Sequence, residues 1–189
     1  MATLKCDPRL AAFLDLIAWS EGTSTSAHTH NDGYDVIVTG VDGAHTFTDY
    51  SCHPFALGRA PIVVRKAENR ALMPADANGM VPAAAPRQAL PASYSTASGR
   101  YQIRLETWKE MAALAHLGTF SPQSQDAAAL ALLERRRASA HILSSNIEFA
   151  IAHCCLEWAS FPGNLYDQGA HPLPVLLDNY QRLLAGQSA

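Results

Sequence analysis

Asp7-Pro-Arg-Leu-Ala-Ala-Phe-Leu-Asp-Leu-Ile-Ala-Trp-Ser-Glu-Gly22 opens on an N-cap aspartate and an N1 proline, and then places Leu10, Phe13, Leu14 and Ile17 at helical spacing. This predicts an amphipathic helix that ends near Glu21-Gly22. A glycine directly after Glu21 lets the backbone turn away and leaves the carboxyl facing a cleft. Trp19 beside it supplies an apolar wall. Such a wall disfavours the charged form and raises the carboxyl pKa, as a general acid working near neutral pH requires. The helix alone leaves open an ordinary solvated helix-end glutamate.

Beyond the helix, a polar stretch over Thr23 to Asp32 leads into two β-rich runs, Tyr34 to Thr39 and His45 to Thr48, joined across Gly40 to Gly43 as a hairpin. From Phe55 to Tyr94 the periodicity fails apart from Ile62 to Val64. Pro74, Pro82, Pro86 and Pro91 block any long helix there, so a long, mobile excursion is expected. Gly99-Arg-Tyr-Gln102 opens a helical segment through His116, Ser121-Pro122 launches a helix over 123–137, and Ser145-Asn-Ile-Glu148 reads as a capping box for a helix through Trp158. Pro172 and Pro174 introduce a last helix over 175–185. Five helices and one hairpin predict a mainly helical α+β domain spanning 1–189.

The length of 189 residues, with 48% hydrophobic and 16% charged, suits one globular domain with a sizeable core. A formal net charge of -3 argues against a general nucleic-acid binder. The charge is uneven. Residues 59–92 hold Arg59, Arg65, Lys66, Arg70 and Arg87 against Glu68 and Asp76, a basic insert of net +3 on a body of net -6. Cys6, Cys52, Cys154 and Cys155 make neither a C-x-x-C pair nor a disulfide framework and read as free, buried thiols in a reducing compartment. Asp15 interrupts the first apolar run and no small-residue cleavage site follows it, which argues against a signal peptide; no eighteen-residue apolar run occurs, so no membrane insertion and synthesis as a soluble cytoplasmic chain are expected. His28 and His30 with Asp32 lack a second pair at ligand spacing, and Cys52 beside His53 lacks a base from elsewhere in the chain, so no metal and no thiol nucleophile are expected.

Ala18-Trp-Ser-Glu-Gly22, Asn31 to Val38, Phe47-Thr-Asp-Tyr-Ser51 with His53-Pro54, Gly99-Arg-Tyr-Gln102, Phe120-Ser-Pro122 with Ser124-Gln-Asp126, and Trp158-Ala-Ser160 with Pro162-Gly163 occur in this order. The set resembles the bacteriophage lambda lysozyme family, phage endolysins that are peptidoglycan lytic transglycosylases. The resemblance implies a lysozyme-like fold, a helical lobe and a small β lobe flanking a groove for the glycan strand. It implies cleavage of the β-1,4 bond between N-acetylmuramic acid and N-acetylglucosamine without water, giving 1,6-anhydromuramoyl ends. Glu21 falls on the family's catalytic glutamate, protonating the leaving oxygen and then, as carboxylate, taking the proton of the C6 hydroxyl.

Hydrolysis by a muramidase would want a second carboxylate, for which Asp35 and Asp49 are the candidates, with a turn or capping role as the alternative for both. Asp35, Tyr101, Gln102 and Tyr166 match groove positions of the family and are expected to bind substrate, although Asn164-Leu-Tyr-Asp167 departs from the family's glycine-rich lip. A non-catalytic wall-binding relative is the third reading, against which the intact Trp-Ser-Glu-Gly block argues. No cofactor is implied. The resemblance further implies a monomer made in the host cytoplasm and released to the periplasm by a separate holin. It also sets the 59–92 insert at the family's upper groove lip, where shortening it should keep the fold and lower wall affinity at low salt.

Overall fold

The computed structural model describes residues 1–71, 87–164 and 169–187. Its first helix, α1 (Pro8–Ser20), starts as the sequence dictates: the Asp7 carboxylate accepts the Arg9 N–H at 2.9 Å and Pro8 takes the first helical position. The amphipathic expectation fails, because α1 is surrounded. Ala11 to Ala18 are all buried, and the helix packs against the helices over Pro122–Arg135, Ser139–Leu143 and Leu173–Gln187 in the middle of the core. Phe13, Leu14, Leu16 and Ile17, each fully buried, contribute about 1.5–3 kcal/mol apiece from burial. Asp15 is tolerated within this shell because the buried Arg100 guanidinium donates to it at 2.8 Å.

The predicted hairpin forms as β1 (Val36–Gly40) and β2 (Gly43–Thr46), antiparallel. The excursion after it is a nested ribbon. β3 (Ile62–Arg65) pairs with β6 (Ser93–Ser95), and β4 (Glu68–Ala71) pairs with β5 (Arg87–Leu90), all antiparallel. Proline blocks a helix but does not forbid such a ladder when it falls between strands, and Pro91 stands between β5 and β6. The ribbon is rooted on β1: Val41 N–H donates to Val63 O at 2.8 Å, and Ile62 shares a small core with Ile37 and Phe55. A Cβ at Gly40 would come within 2.5 Å of the Ile62 side chain, so that glycine admits the crossing.

The remaining helices are α2 (Leu105–Leu114), α3 (Pro122–Arg135), α4 (Ser139–Leu143), α5 (Ile147–Cys154) and α6 (Leu173–Gln187). α3 uses the predicted Ser121 cap and Pro122 start. The described residues hold six helices where five are expected, α4 being the addition, and two helix starts are built differently from expectation. Gly99 to Gln102 is a turn, with Gly99 at φ 76° and Gln102 at φ 49°, closed by reciprocal Ser98–Ile103 backbone hydrogen bonds. The Ser145–Glu148 capping box is not made. Ser145, at φ 62°, instead ends α4 in a Schellman motif, with its N–H donating to Ile142 O and that of Asn146 to His141 O. The result is a helical body with small β elements to one part of the chain, the expected α+β, lysozyme-like architecture.

A buried polar network ties the site-bearing turn to this body. The Gln125 side chain accepts from Arg100 N–H at 2.9 Å and donates to Tyr34 O and Phe120 O. Trp158 Nε1–H donates to Tyr101 O at 2.9 Å. The Arg100 side chain is 2% exposed and also pairs with Asp32, whose second partner is the N-terminal ammonium of Met1. Hence the residues flanking Gln102 are clamped by α1, α3 and the segment after α5.

Candidate active site

The end of α1 aims Glu21. Gly22, at φ 71°, donates its N–H to Trp19 O, and the Thr23 N–H reaches Ala18 O, so the helix stops in another Schellman motif with Glu21 as its C-cap. Glu21, Gly22, Thr23 and Ser26, Val36 to Thr39 of β1, and Gln102 together line a cleft of about 250 Å³. Among the described residues Glu21 is the one carboxyl lining this cleft.

Its carboxyl keeps an open face toward the cleft while protein packs densely behind it. Ser160 Oγ–H donates to Glu21 Oε1 at 2.6 Å, and Ser160 Oγ lies 2.9 Å from Ser20 Oγ. Burial pushes the Glu21 pKa above the ordinary carboxylate value, opposed in part by the Ser160 hydrogen bonds and by nearby His171. His171 closes the rear of the site: its ring lies 4.7 Å from that of Trp19, its backbone N–H donates to Ser160 O, and Nε2–H donates to Ser20 O.

The other expected site residues divide. Gln102 reaches the cleft, with Nε2–H donating to Gly99 O at 3.1 Å and its amide oxygen turned to no partner among the described residues. Asp35 does not reach it. That carboxyl is 4% exposed and is consumed by the Thr29 hydroxyl and the His30 N–H, closing the polar loop before β1. Tyr101 faces the core, fully buried, with its hydroxyl donating to Asp126 at 2.6 Å. Asp49 accepts the Ser51 N–H in its own turn. Tyr166 lies outside the described residues. Ser20, Ser160 and His171 were not singled out by sequence reasoning; the serines stood inside the quoted blocks, and a polar residue beside Glu21 with another in a Trp-x-Ser block was the available signal.

Among the described residues no three metal-ligating side chains converge. Asp32 is engaged by Arg100 and the N-terminus, away from His28 and His30. All four cysteines are free, but only Cys154 is buried; burial pushes its thiol up to about 12. His53 is a buried neutral histidine: Nε2–H donates to Ile103 O at 3.1 Å and Nδ1 accepts Phe55 N–H. Desolvation holds its pKa down to about 4, against 6.5 in an unfolded chain. The unfolded state therefore gains a proton that the folded state refuses as pH falls from 6.5 to 4. The stability present above that window is lost through it, by about 3 kcal/mol at most. Urea unfolding across this range should show that slope, and His53→Gln should flatten it.

The family model described as endolysin matches residues 11–80 and 82–187. An endolysin of Escherichia phage P2 is 41% identical over 179 residues, covering 94% of this chain and 93% of that protein, and an endolysin of Escherichia phage lambda is 36% identical over 171 residues, covering 90% and 87%. The structure of bacteriophage lambda lysozyme complexed with a chitohexasaccharide superposes with a TM-score of 0.71 at 34% identity, covering 96% of this chain and 97% of that one. A second structure of the lambda lysozyme gives 0.61 at 31% identity, covering 98% and 96%. With a matching fold, a cleft built on the end of α1 and these similarities across nearly its whole length, the chain belongs to the endolysin family of phage lambda lysozyme.

Proposed function

We propose that this endolysin is a lytic transglycosylase, cutting the β-1,4 bond between N-acetylmuramic acid and N-acetylglucosamine and closing a 1,6-anhydro ring on the muramoyl product. The observation that carries this reading is the cleft's single carboxyl. Among the described residues Glu21 is the only carboxyl lining it, while Asp35 and Asp49 are engaged in their own loops. A nucleophile-based or water-activating hydrolase needs a second carboxylate near the scissile bond. One carboxyl suffices when the substrate brings its own nucleophile. Protonated Glu21 gives its proton to the leaving oxygen of N-acetylglucosamine; the resulting carboxylate takes the proton of the muramoyl C6 hydroxyl as that oxygen bonds to C1. The glutamic acid is restored with no water consumed. Gln102 is placed to hydrogen-bond a sugar hydroxyl or acetamide through its unpartnered amide oxygen. The chitohexasaccharide bound to the lambda lysozyme supports a cleft of this fold accepting a β-1,4-linked amino-sugar chain.

Mass spectrometry of digested peptidoglycan tests the reading. Anhydro-muramoyl products are expected; products heavier by one water would make the enzyme a hydrolytic muramidase.

The polymer is anionic and the ribbon after β2 is basic, rooted beside the cleft-lining strand β1. Neutralising Arg65, Lys66, Arg70 and Arg87 to glutamine should weaken binding to whole wall several-fold at low salt, with the difference fading above about 0.5 M as the Debye length contracts. Sedimentation with insoluble wall across a salt series measures this, and equal binding throughout would leave the ribbon as a solvated appendage. No helix among the described residues is long and apolar enough to cross a membrane. The reading includes a monomer made in the host cytoplasm, reaching the wall once a separately encoded holin opens the inner membrane.

A further inference from the structure

We infer that Ser20 and Ser160 are positioning residues that form a reversible hydrogen-bond chain, built to hold Glu21 in both the protonated and the ionised form that a single-carboxyl mechanism requires. The inference rests on the transglycosylase reading above. Four oxygens stand in line: Glu21 Oε1, Ser160 Oγ at 2.6 Å, Ser20 Oγ a further 2.9 Å on, and Ile17 O 2.9 Å beyond that. Both serines are buried, 7% and 9% exposed, so neither hydroxyl is free to choose among many water partners.

Each hydroxyl carries one hydrogen, and this permits two complete arrangements. With Glu21 ionised, Ser20 donates to Ser160 and Ser160 donates to the carboxylate. Ile17 O loses the Ser20 hydroxyl but still accepts the Glu21 N–H at 2.9 Å, so nothing is orphaned. With Glu21 protonated, its own O–H donates to Ser160, Ser160 turns to Ser20, and Ser20 turns to Ile17 O. Passing from one state to the other rotates two hydroxyls and moves no heavy atom. No proton travels along the chain; the carboxyl exchanges its proton with the substrate, and the chain follows. A lone backbone N–H or an arginine in place of Ser160 would donate only, favouring the carboxylate and opposing the acid.

The frame of the chain is fixed independently. His171 donates through Nε2–H to Ser20 O and through its backbone N–H to Ser160 O, holding the two serine backbones from one segment. Among the described residues His171 is also the titratable group that faces Glu21 from the segment before α6; β1 presents Val36 to Thr39 and the Gly99 turn presents Gln102, all neutral, while Arg100 is turned into Asp15 and Asp32.

The chain makes the two serines act in opposite directions. Ser160→Ala removes the hydroxyl that donates to the carboxylate, keeps the Ser160 backbone N–H, and should raise the Glu21 pKa by about 0.5–1 unit. Ser20→Ala leaves that donor in place but deprives the protonated state of an acceptor for the Ser160 hydrogen, and should lower it by a similar or smaller amount. Ser160→Thr, which keeps the hydroxyl, should stay near wild type. Carbon-13 NMR titration of the Glu21 carboxyl in the free, folded variants reads these shifts directly, and the alkaline limb of kcat/KM on purified peptidoglycan should move with them while kcat falls about tenfold in both alanine variants. Residues of merely structural importance would lower activity with the titration unmoved. Absent shifts, or shifts of the same sign in the two alanine variants, overturn the chain. Should Ser160→Ala not fold, Ser20→Ala against Ser160→Thr keeps the sign test. Reducing-end products from the wild-type enzyme would overturn the transglycosylase reading instead, whatever the titrations show.

Discussion

Glu21→Gln is expected to abolish wall lysis, lowering kcat by about 10³-fold or more, while glycan binding stays within a few fold. The substitution removes the one carboxylic acid that lines the cleft among the described residues and almost nothing else. A glutamine side-chain oxygen can accept the Ser160 hydrogen bond that the carboxylate accepts now, so the frame of Ser160, Ser20 and His171 is kept. Positioned acid–base catalysis alone is worth roughly 10²–10⁴-fold, and here one group would serve in both proton transfers. The loss should therefore sit in kcat, with thermal unfolding within a few degrees of wild type. Turbidity clearing of outer-membrane-permeabilised cells and binding to purified glycan strands measure the two halves. Substantial lysis by this variant would remove Glu21 from the chemistry.

The acid's raised pKa gives the wild-type enzyme a pH signature of the same origin. A carboxyl that must begin protonated loses activity as pH rises past its own pKa. Burial moves that alkaline limb above where an ordinary carboxyl would set it, and a pH profile of kcat/KM on purified wall should show it.

The placement of Glu21 at a cleft was legible because its signal is local. A tryptophan, a glutamate and a glycine occur within one turn at the end of a capped helix, and the glycine's positive φ is a demand that few other residues meet. Gln102 was legible for a related reason, since Gly99 to Gln102 is short and marked by its glycine, although the helix expected to begin there begins at Leu105. What could not be read was direction. Tyr101 and Gln102 are adjacent, and whether a ring faces sugar or core depends on Asp126, twenty-four residues beyond Gln102, whose carboxylate claims the Tyr101 hydroxyl. Asp35 misled in the same way. An aspartate before a strand has two uses, and the Thr29 hydroxyl and His30 N–H decided for the loop. The ribbon was hidden because its strands run only three or four residues, and their partners stand up to 33 positions apart, as Ile62 pairs with Ser95. Periodicity has no purchase on so short a segment. Ser160 lies 139 positions from Glu21, and no spacing rule in sequence joins them.

Asp126→Ala should cost the fold about 3–5 kcal/mol, the largest stability loss of any single substitution considered, and Asp126→Asn should separate that loss into two parts. Oδ1 accepts the Tyr34 hydroxyl at 2.7 Å and the Tyr101 hydroxyl at 2.6 Å; Oδ2 accepts the Thr3 N–H at 2.6 Å, and the Thr3 hydroxyl and Leu4 N–H at 2.8 Å each. Alanine leaves the buried Tyr34 and Tyr101 hydroxyls without their acceptor, at on the order of 1–3 kcal/mol for each orphaned donor before relaxation, while the outer Thr3 and Leu4 donors turn to water. Asparagine can keep an oxygen toward the tyrosines, but its NH₂ then stands where Thr3 and Leu4 need an acceptor. The first four residues should therefore detach while the core holds. Those residues carry the Met1 ammonium that pairs with Asp32 and the Ala2 N–H that bonds Asp15, the two carboxylates that hold Arg100 next to the cleft turn. Limited proteolysis should cut the asparagine variant near its N-terminus at an unfolding midpoint lowered by half or less of the alanine variant's shift. The alanine variant should additionally lose activity at temperatures where it is still folded, because Tyr101, released from Asp126, no longer fixes Gln102 beside Glu21. Equal stability of wild type and Asp126→Ala in urea would show that the network is filled by water instead and that the cleft turn is held by Gln125 and Trp158 alone.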